Sequence, residues 1–201
     1  MSTPEPVRLP SNIQWQDWVD RWDRMQERYL VRRDERIKLM VRLVRESVAP
    51  IKHVLDLGCG TGSLMQPFLE AFTDAEVYGI DFDPVLLPLA RERLRPYERR
   101  SRLILADLRE AGWRAQVPDG FDAVISATAL HWLTEGELAG LYRQLSRLLR
   151  PGGLFIWGPA AHSFQRQRRA SIRSDRRVAY LEADWRLSEK LETQQNQDEA
   201  S

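Results

Sequence analysis

The stretch that decides the fold is His53-Val54-Leu55-Asp56-Leu57-Gly58-Cys59-Gly60-Thr61-Gly62. A short apolar run carries an acid near its end and passes into a glycine-rich turn. Ser63-Leu64-Met65-Gln66-Pro67-Phe68-Leu69-Glu70 follows and reads as the opening of a helix. A strand that runs through a glycine loop into a helix N-terminus is how α/β folds cradle nucleotides. The loop is G-x-G-x-G rather than G-x-G-x-x-G, because Ser63 stands where a dinucleotide loop has its third glycine. Asp56 lies two residues before the first glycine. Its negative charge is a poor neighbour for a pyrophosphate and a good one for an ammonium group. Gly58, Gly60 and Gly62 let the backbone approach a ligand with no Cβ in between. Cys59 reads as a small apolar filler among them.

Outward from this loop, apolar runs alternate with helical patterns. Strands are expected over 54–57, 76–80, 102–106, 122–126 and 154–157. Helices are expected from the loop to about 72, from Pro84 to about 94, and over 135–149. Pro84 suits a first helical turn, and Pro88 either kinks that helix or marks a later start. Leu138, Leu141, Tyr142, Leu145, Leu148 and Leu149 form one apolar face before Pro151-Gly152-Gly153 breaks the pattern. Such alternation implies an α/β chain, a three-layer doubly wound domain around a parallel sheet over 51–159.

The segment 12–50 reads as two helices. Trp15, Trp18, Trp22, Met25 and Tyr29 recur every three or four residues. Ile37, Met40, Val41, Val44 and Val48 give the second helix its apolar face, and Pro50 stops it. The tryptophan stripe has two readings, core packing or a lid over a ligand. Residues 1–11 hold three prolines and read as a flexible lead-in. Beyond Pro159 the composition changes, and 165–177 carries six arginines. The segment 160–192 reads as helical, with the arginines on a solvated face. The other reading is contact with an anionic acceptor or RNA, although no nucleic-acid module accompanies it. The tail 193–201 reads as disordered.

Composition sets bounds. A length of 201 residues suits one domain with a sizeable core. A net charge of +1 disfavours a globally basic nucleic-acid binder. One cysteine excludes an intrachain disulfide or a cysteine metal cluster. No apolar run approaches the roughly 18 residues of a membrane span. The N-terminus lacks the apolar centre of a signal peptide, so the cytoplasm is the expected location.

Several acids fall where strands end. Asp81 closes the second strand, at the distance past the glycine loop where an acid reaches a ribose. Its carboxylate can accept both hydroxyls and repels a 2′-phosphate. The alternative is a helix cap, the role favoured for Asp83. Phe82 can stack on or flank an adenine. Asp107 closes the third strand at the same edge, where a carboxylate can accept from an adenine amino group while the Leu108 amide donates to a ring nitrogen. Its alternative is a turn acid. After the fourth strand come Ser126-Ala127-Thr128-Ala129-Leu130-His131-Trp132. His131 is the candidate general base, the alternative being a loop residue packed beside Trp132. No residue set suggests a metal site.

Taken together, 54–62, Asp81, Asp107, the 126–132 stretch and Leu149-Arg150-Pro151-Gly152-Gly153 resemble the class I S-adenosylmethionine (SAM) dependent methyltransferases in order and spacing. The resemblance extends to small-molecule enzymes of the trans-aconitate methyltransferase type, whose strand-four loop has an aromatic after a His or Gln. It implies strand order 3-2-1-4-5, SAM as cofactor, methyl transfer to a small-molecule acceptor, and S-adenosylhomocysteine as product. It assigns Asp56 to the methionine ammonium, Gly58, Cys59, Gly60 and Gly62 to the cofactor loop, and Ser126 and Ala127 to the reactive edge. It also implies that the segment before the first strand covers the cofactor. Two rival readings are a SAM-binding chain without turnover and an NAD-dependent oxidoreductase. Ser63, Asp56 and the lack of a substrate domain weigh against the second.

The family fold has two further strands, a hairpin whose last strand runs antiparallel beside strand five. The sequence after Trp157 predicts none, which leaves strand five as an exposed edge. Truncation is the favoured account. The other two are a partner or second copy over the edge, and later helices folding across it.

Overall fold

Apolar runs that are hidden on both sides become the centre of a sheet, and that is where β1 (His53–Leu57) and β4 (Phe121–Ala127) lie. The computed structural model describes residues 14–29, 33–158 and 177–180. The lead-in 1–11, the tail 193–201 and most of the arginine-rich segment fall outside these. With β2 (Glu76–Asp81), β3 (Ser101–Leu105) and β5 (Leu149–Gly158), the strands form a parallel sheet in the expected order β3-β2-β1-β4-β5.

Successive strand residues face opposite sides, and the two cores follow that alternation. Val54, Val77, Ala123, Ile125 and Ile156 pack on one face, against Met40 and Val44 of α2 (Arg33–Ser47) and Met65, Phe68 and Leu69 of α3 (Met65–Ala71). Leu55, Leu57, Ile80, Val124 and Phe155 pack on the other, against Leu138, Leu141 and Leu145 of α5 (Glu135–Leu148). These are the three layers. A capping box starts α5: the Glu137 amide donates to Thr134 Oγ1 at 3.3 Å, and the Thr134 amide donates to Glu137 Oε2 at 2.7 Å. Trp113, on the 3₁₀ helix Ala111–Gln116, fills the same core and has no counterpart in the sequence pattern.

Two proline-related expectations shift. α4 (Leu86–Arg93) starts two residues after Pro84, so Pro88 falls within its first turn, where no amide hydrogen is needed. β5 begins at Leu149 and passes through Pro151-Gly152-Gly153, with a register irregularity against β4 between Phe121 and Ala123. A Cβ on Gly153 would lie 3.0 Å from the Phe121 carbonyl oxygen, so the last glycine lets the two strands close up.

The absence of a strand after Trp157 is a misreading of the sequence. A sixth strand, β6 (Arg177–Tyr180), pairs parallel with β5 from Leu154↔Arg177 to Trp157↔Tyr180. It covers the edge predicted to be open, and it runs parallel where the resemblance implies an antiparallel neighbour. The segment 160–192 reads as helical, but four residues carry little periodicity, and the unpaired groups of β5 supply a partner that local sequence does not reveal.

The tryptophan stripe on α1 (Trp15–Tyr29) is not a core face. Among the helix residues whose burial is described, Val19 is the buried one, while Trp18 is 50% and Met25 42% exposed. The helix packs chiefly on α4. Asp23 joins the two, with both carboxylate oxygens accepting from Arg93 Nη2 at 2.9 and 2.8 Å.

Candidate functional site

β1 is flanked by β2 and β4, so the connections leaving it and β4 diverge to opposite sides of the sheet. In open α/β sheets a ligand crevice forms at the strand carboxyl ends where this happens. A cavity of about 980 Å³ occupies that place. Its walls come from the ends of β1, β2, β3 and β4, closed by Trp22 and Met25 of α1 and by Arg33, Arg36, Ile37 and Met40 of α2.

The floor is the glycine loop. Gly58, Gly60 and Gly62 have φ of 70°, 52° and 72°, the left-handed region in which a Cβ is strained. At Gly58 space also forbids a side chain, since a Cβ would come within 2.2 Å of the Ala129 Cβ. The loop after β4 therefore rests directly on the loop after β1. Thr128 accommodates that approach with φ of 61°, which is uncommon for a β-branched residue, and its amide donates to the Gly158 carbonyl at 2.9 Å. The loop is tied to β2 as well, because the Gly58 and Cys59 amides donate to the Ile80 carbonyl at 2.8 and 3.0 Å. Cys59 is a buried filler, as its size suggests, and burial raises its thiol pKa. It sits against Gly79, where a Cβ would lie 2.8 Å from Cys59 Sγ and 2.4 Å from Met65 Sδ.

Asp81 is 7% exposed and lines the cavity. Its Oδ2 accepts from the Gly60 amide at 2.7 Å and its Oδ1 from the Asp83 amide at 2.9 Å. Each oxygen keeps a second lone pair for a ligand. Burial raises the carboxyl pKa, and these amides oppose the rise. Asp83 accepts from the Val85 amide at 2.8 Å, which closes a turn; it is not the helix cap expected of it, because α4 starts at Leu86 and Val85 holds the cap position with no side-chain bond. Phe82 is 64% exposed on the rim, with the Arg109 guanidinium 6.0 Å from its ring centre. Asp107 and Leu108 line the same wall. Asp107 is already held by Arg109, whose Nε donates at 2.9 Å, and this pairing keeps the carboxyl below the usual range.

Asp56 is 1% exposed, and neither oxygen has a hydrogen-bond partner among the described residues. Burial pushes its carboxyl well above the ordinary range, and the neighbouring Asp81 charge adds to the rise. A buried carboxylate without a donor is costly, so the site needs a cation or a proton. Asp56 lies under the loop and is not part of the cavity wall. The same holds for Ser126, which is fully buried and donates from Oγ to the Leu57 carbonyl at 2.7 Å, joining β4 to β1. Ala127 does line the cavity.

His131 lines the cavity on a one-turn 3₁₀ helix, Leu130–Trp132. Its ring lies 4.8 Å from that of Trp132, which is 79% exposed. Burial lowers its pKa below 6.5, with the Thr128 backbone opposing. The imidazole is thus largely neutral at pH 7 and able to take a proton. Sequence reasoning missed Arg33, Arg36 and Arg93. The signal for the first two was present: they precede Ile37 and Met40 by helical spacing, so they extend the apolar stripe of α2 with charge. Nothing local marks Arg93.

Residues 54–153 match the sequence family described as a methyltransferase domain. Over 140 residues the chain is 34% identical to a malonyl-[acyl-carrier protein] O-methyltransferase of Halorhodospira halophila, covering 68% of this chain and 45% of that protein. Over 144 residues it is 33% identical to a trans-aconitate 2-methyltransferase of Paracidovorax citrulli, covering 72% and 50%. The chain therefore spans about half the length of these curated relatives. Among solved structures, SAM-bound CalS10, an amino pentose methyltransferase from Micromonospora echinaspora, aligns with a TM-score of 0.57 at 29% identity, covering 75% of this chain and 59% of that one.

Proposed function

We propose that this chain, which belongs to the class I SAM-dependent methyltransferases, transfers a methyl group from SAM to a small-molecule acceptor and leaves S-adenosylhomocysteine. The observation that carries this reading is the glycine loop, which forms the cavity floor in left-handed conformation and is pinned by Asp81 to the end of β2. Two of the relatives are named for trans-aconitate and an amino pentose, which supports a small acceptor, and a third is named for a malonyl group carried on acyl-carrier protein.

The residues present fit SAM. Asp56, buried and undonated beside Asp81, suits the neighbourhood of an ammonium group better than that of a phosphate. The loop of Gly58, Cys59, Gly60 and Gly62 would carry the methionine end. Asp81 would accept from the ribose hydroxyls with its free lone pairs. Phe82 would flank the adenine, Asp107 would take its amino group, and the Leu108 amide would donate to its ring. Ala127 would line the reactive edge, with Ser126 behind it holding β4 to β1.

When bound, SAM supplies an electrophilic methyl group on a sulfonium. The protein's share is to hold donor and acceptor in line, which can account for much of the rate, and to keep water out. α1 and α2 supply that cover through Trp22, Met25, Ile37 and Met40. His131 would accept the acceptor's proton, since its lowered pKa leaves it unprotonated at neutral pH.

Calorimetric titration with SAM, S-adenosylhomocysteine and NAD tests the reading. Micromolar binding of the first two and none of NAD is expected. Binding of NAD alone would overturn it in favour of an oxidoreductase. Cofactor binding without turnover across a panel of carboxylate, amine and hydroxyl acceptors would leave a SAM-binding protein and remove the transferase.

A further inference from the structure

Asp107, just past the end of β3, is held by a single residue. Among the described residues every hydrogen bond to its carboxylate comes from Arg109. Arg109 Nε lies 2.9 Å from Oδ1 and 3.0 Å from Oδ2, Nη2 donates to Oδ2, and the Arg109 amide donates to Oδ1 at 2.9 Å. A carboxylate oxygen has two lone pairs to offer, and each oxygen here already has two N–H groups within reach. The same guanidinium lies over the Phe82 ring, 6.0 Å from its centre, at the limit of a cation–π contact. All three residues line the cavity.

Asp107 and Phe82 are the residues expected to meet an adenine, one at its amino group and one along its face. A guanidinium has matching chemistry: it is planar, carries N–H donors along its edge and stacks on aromatic rings. Arg109 makes both contacts from within the chain. A base cannot add its amino group to an acid whose lone pairs are all engaged, so it has to displace at least one Arg109 N–H. That exchange is a small one. The Arg109 side chain is 54% exposed and that of Asp107 23%, and ion pairs open to water contribute little. Glu110 and Glu137 lie near enough to act on the Arg109 charge, so a displaced guanidinium still has acids beside it.

We propose that Arg109 is an internal competitor for the adenine subsite and that a base enters by taking Asp107 from it. This rests on the SAM reading above. It makes Arg109 a residue that sets cofactor affinity, because the net gain at Asp107 is what the amino group supplies less what the arginine gives up.

The test is calorimetry on the full chain, wild type against Arg109→Ala, with S-adenosylhomocysteine and with adenosine. The substitution is at an exposed side chain and removes no buried contact. Arg109→Ala should tighten both ligands by about threefold, the size expected of an exposed ion pair, and by a similar factor because both carry the base. Adenosine has no charge, so its gain cannot come from removing a positive charge that repels the ligand. Salt screens the Arg109–Asp107 pair, so the advantage of the variant over wild type should shrink as ionic strength rises.

The proposal is overturned if Arg109→Ala matches wild type for both ligands. It is also overturned if the variant binds them more weakly, since Arg109 would then support the base rather than compete with it. A gain for S-adenosylhomocysteine without one for adenosine, or a gain that high salt leaves unchanged, overturns it as well. A wild-type chain that binds neither SAM nor S-adenosylhomocysteine overturns the cofactor reading and this proposal with it, a result distinct from the others.

Discussion

Asp81 has two tasks. Its carboxylate fixes the loop through the Gly60 amide and also faces the cavity. Asp81→Ala should weaken S-adenosylhomocysteine at least tenfold, about 1.4 kcal/mol per decade, as read by calorimetry; unchanged affinity would remove Asp81 from ligand contact. His131 should behave differently. His131→Ala is expected to slow turnover on the order of 10²-fold while cofactor affinity holds, and equal loss of both would make the residue structural. Because burial lowers its pKa, the acid limb of wild-type turnover should have its midpoint below pH 6.5. That limb should vanish in the variant.

At the scale of elements, the question is what holds α1 over the cavity. The helix buries little apolar surface, with Val19 at 2% exposure and Trp18 and Met25 largely open. Its anchor is the Asp23–Arg93 pair, half-sheltered at 27% and 10% side-chain exposure. Hydrogen bonds to a charged group contribute about 1.5–3 kcal/mol when buried, and exposure reduces this. Asp23→Asn should raise amide hydrogen exchange across Trp15–Tyr29 about tenfold while β1 stays protected. No change there would mean that apolar packing alone holds the helix. Arg93 reaches the Thr61 carbonyl as well, so the pair links this cover to the glycine loop.

The whole molecule is closed at the opposite end of the sheet from the site, at the start of β4, by Asp122. Its Oδ2 accepts from the Lys52 and His53 amides at 2.7 and 2.8 Å, and its Oδ1 accepts from Arg150 Nε. Burial alone would raise its pKa, but the His53 and Lys52 amides and Arg150 outweigh it and hold the carboxyl below its usual value. A depressed native pKa gives stability that is fully present above the unfolded value, about 3.9, and is lost as pH falls through the native one. Asp122→Asn should therefore cost about 1–3 kcal/mol at pH 7 in denaturant unfolding. Wild type and variant should converge in strong acid. A constant difference down to pH 2 would show that the Asp122 charge contributes nothing.

Much of this was legible locally. Val54 to Gly62 specify a strand, a left-handed turn and a helix start by composition alone. Asp81 and Asp107 were legible as acids ending consecutive strands. These features depend on neighbours a few residues away, which a sequence records directly. Tertiary structure decided what depends on distant partners. It put a parallel strand at Arg177–Tyr180, because the open edge of β5 outweighs a weak helical spacing. It set Trp22 and Met25 of the tryptophan stripe at the cavity, buried Trp113, spent the Ser126 hydroxyl on Leu57, and required glycine at position 58 because Ala129 crosses there. It placed Arg33 at the cavity wall beside an Asp23 that also accepts from Arg93. The sequence by itself determined which segments become the first five strands and the chemistry available at their ends. Packing across long separations decided which of those groups are spent holding the fold and which remain free to meet a ligand.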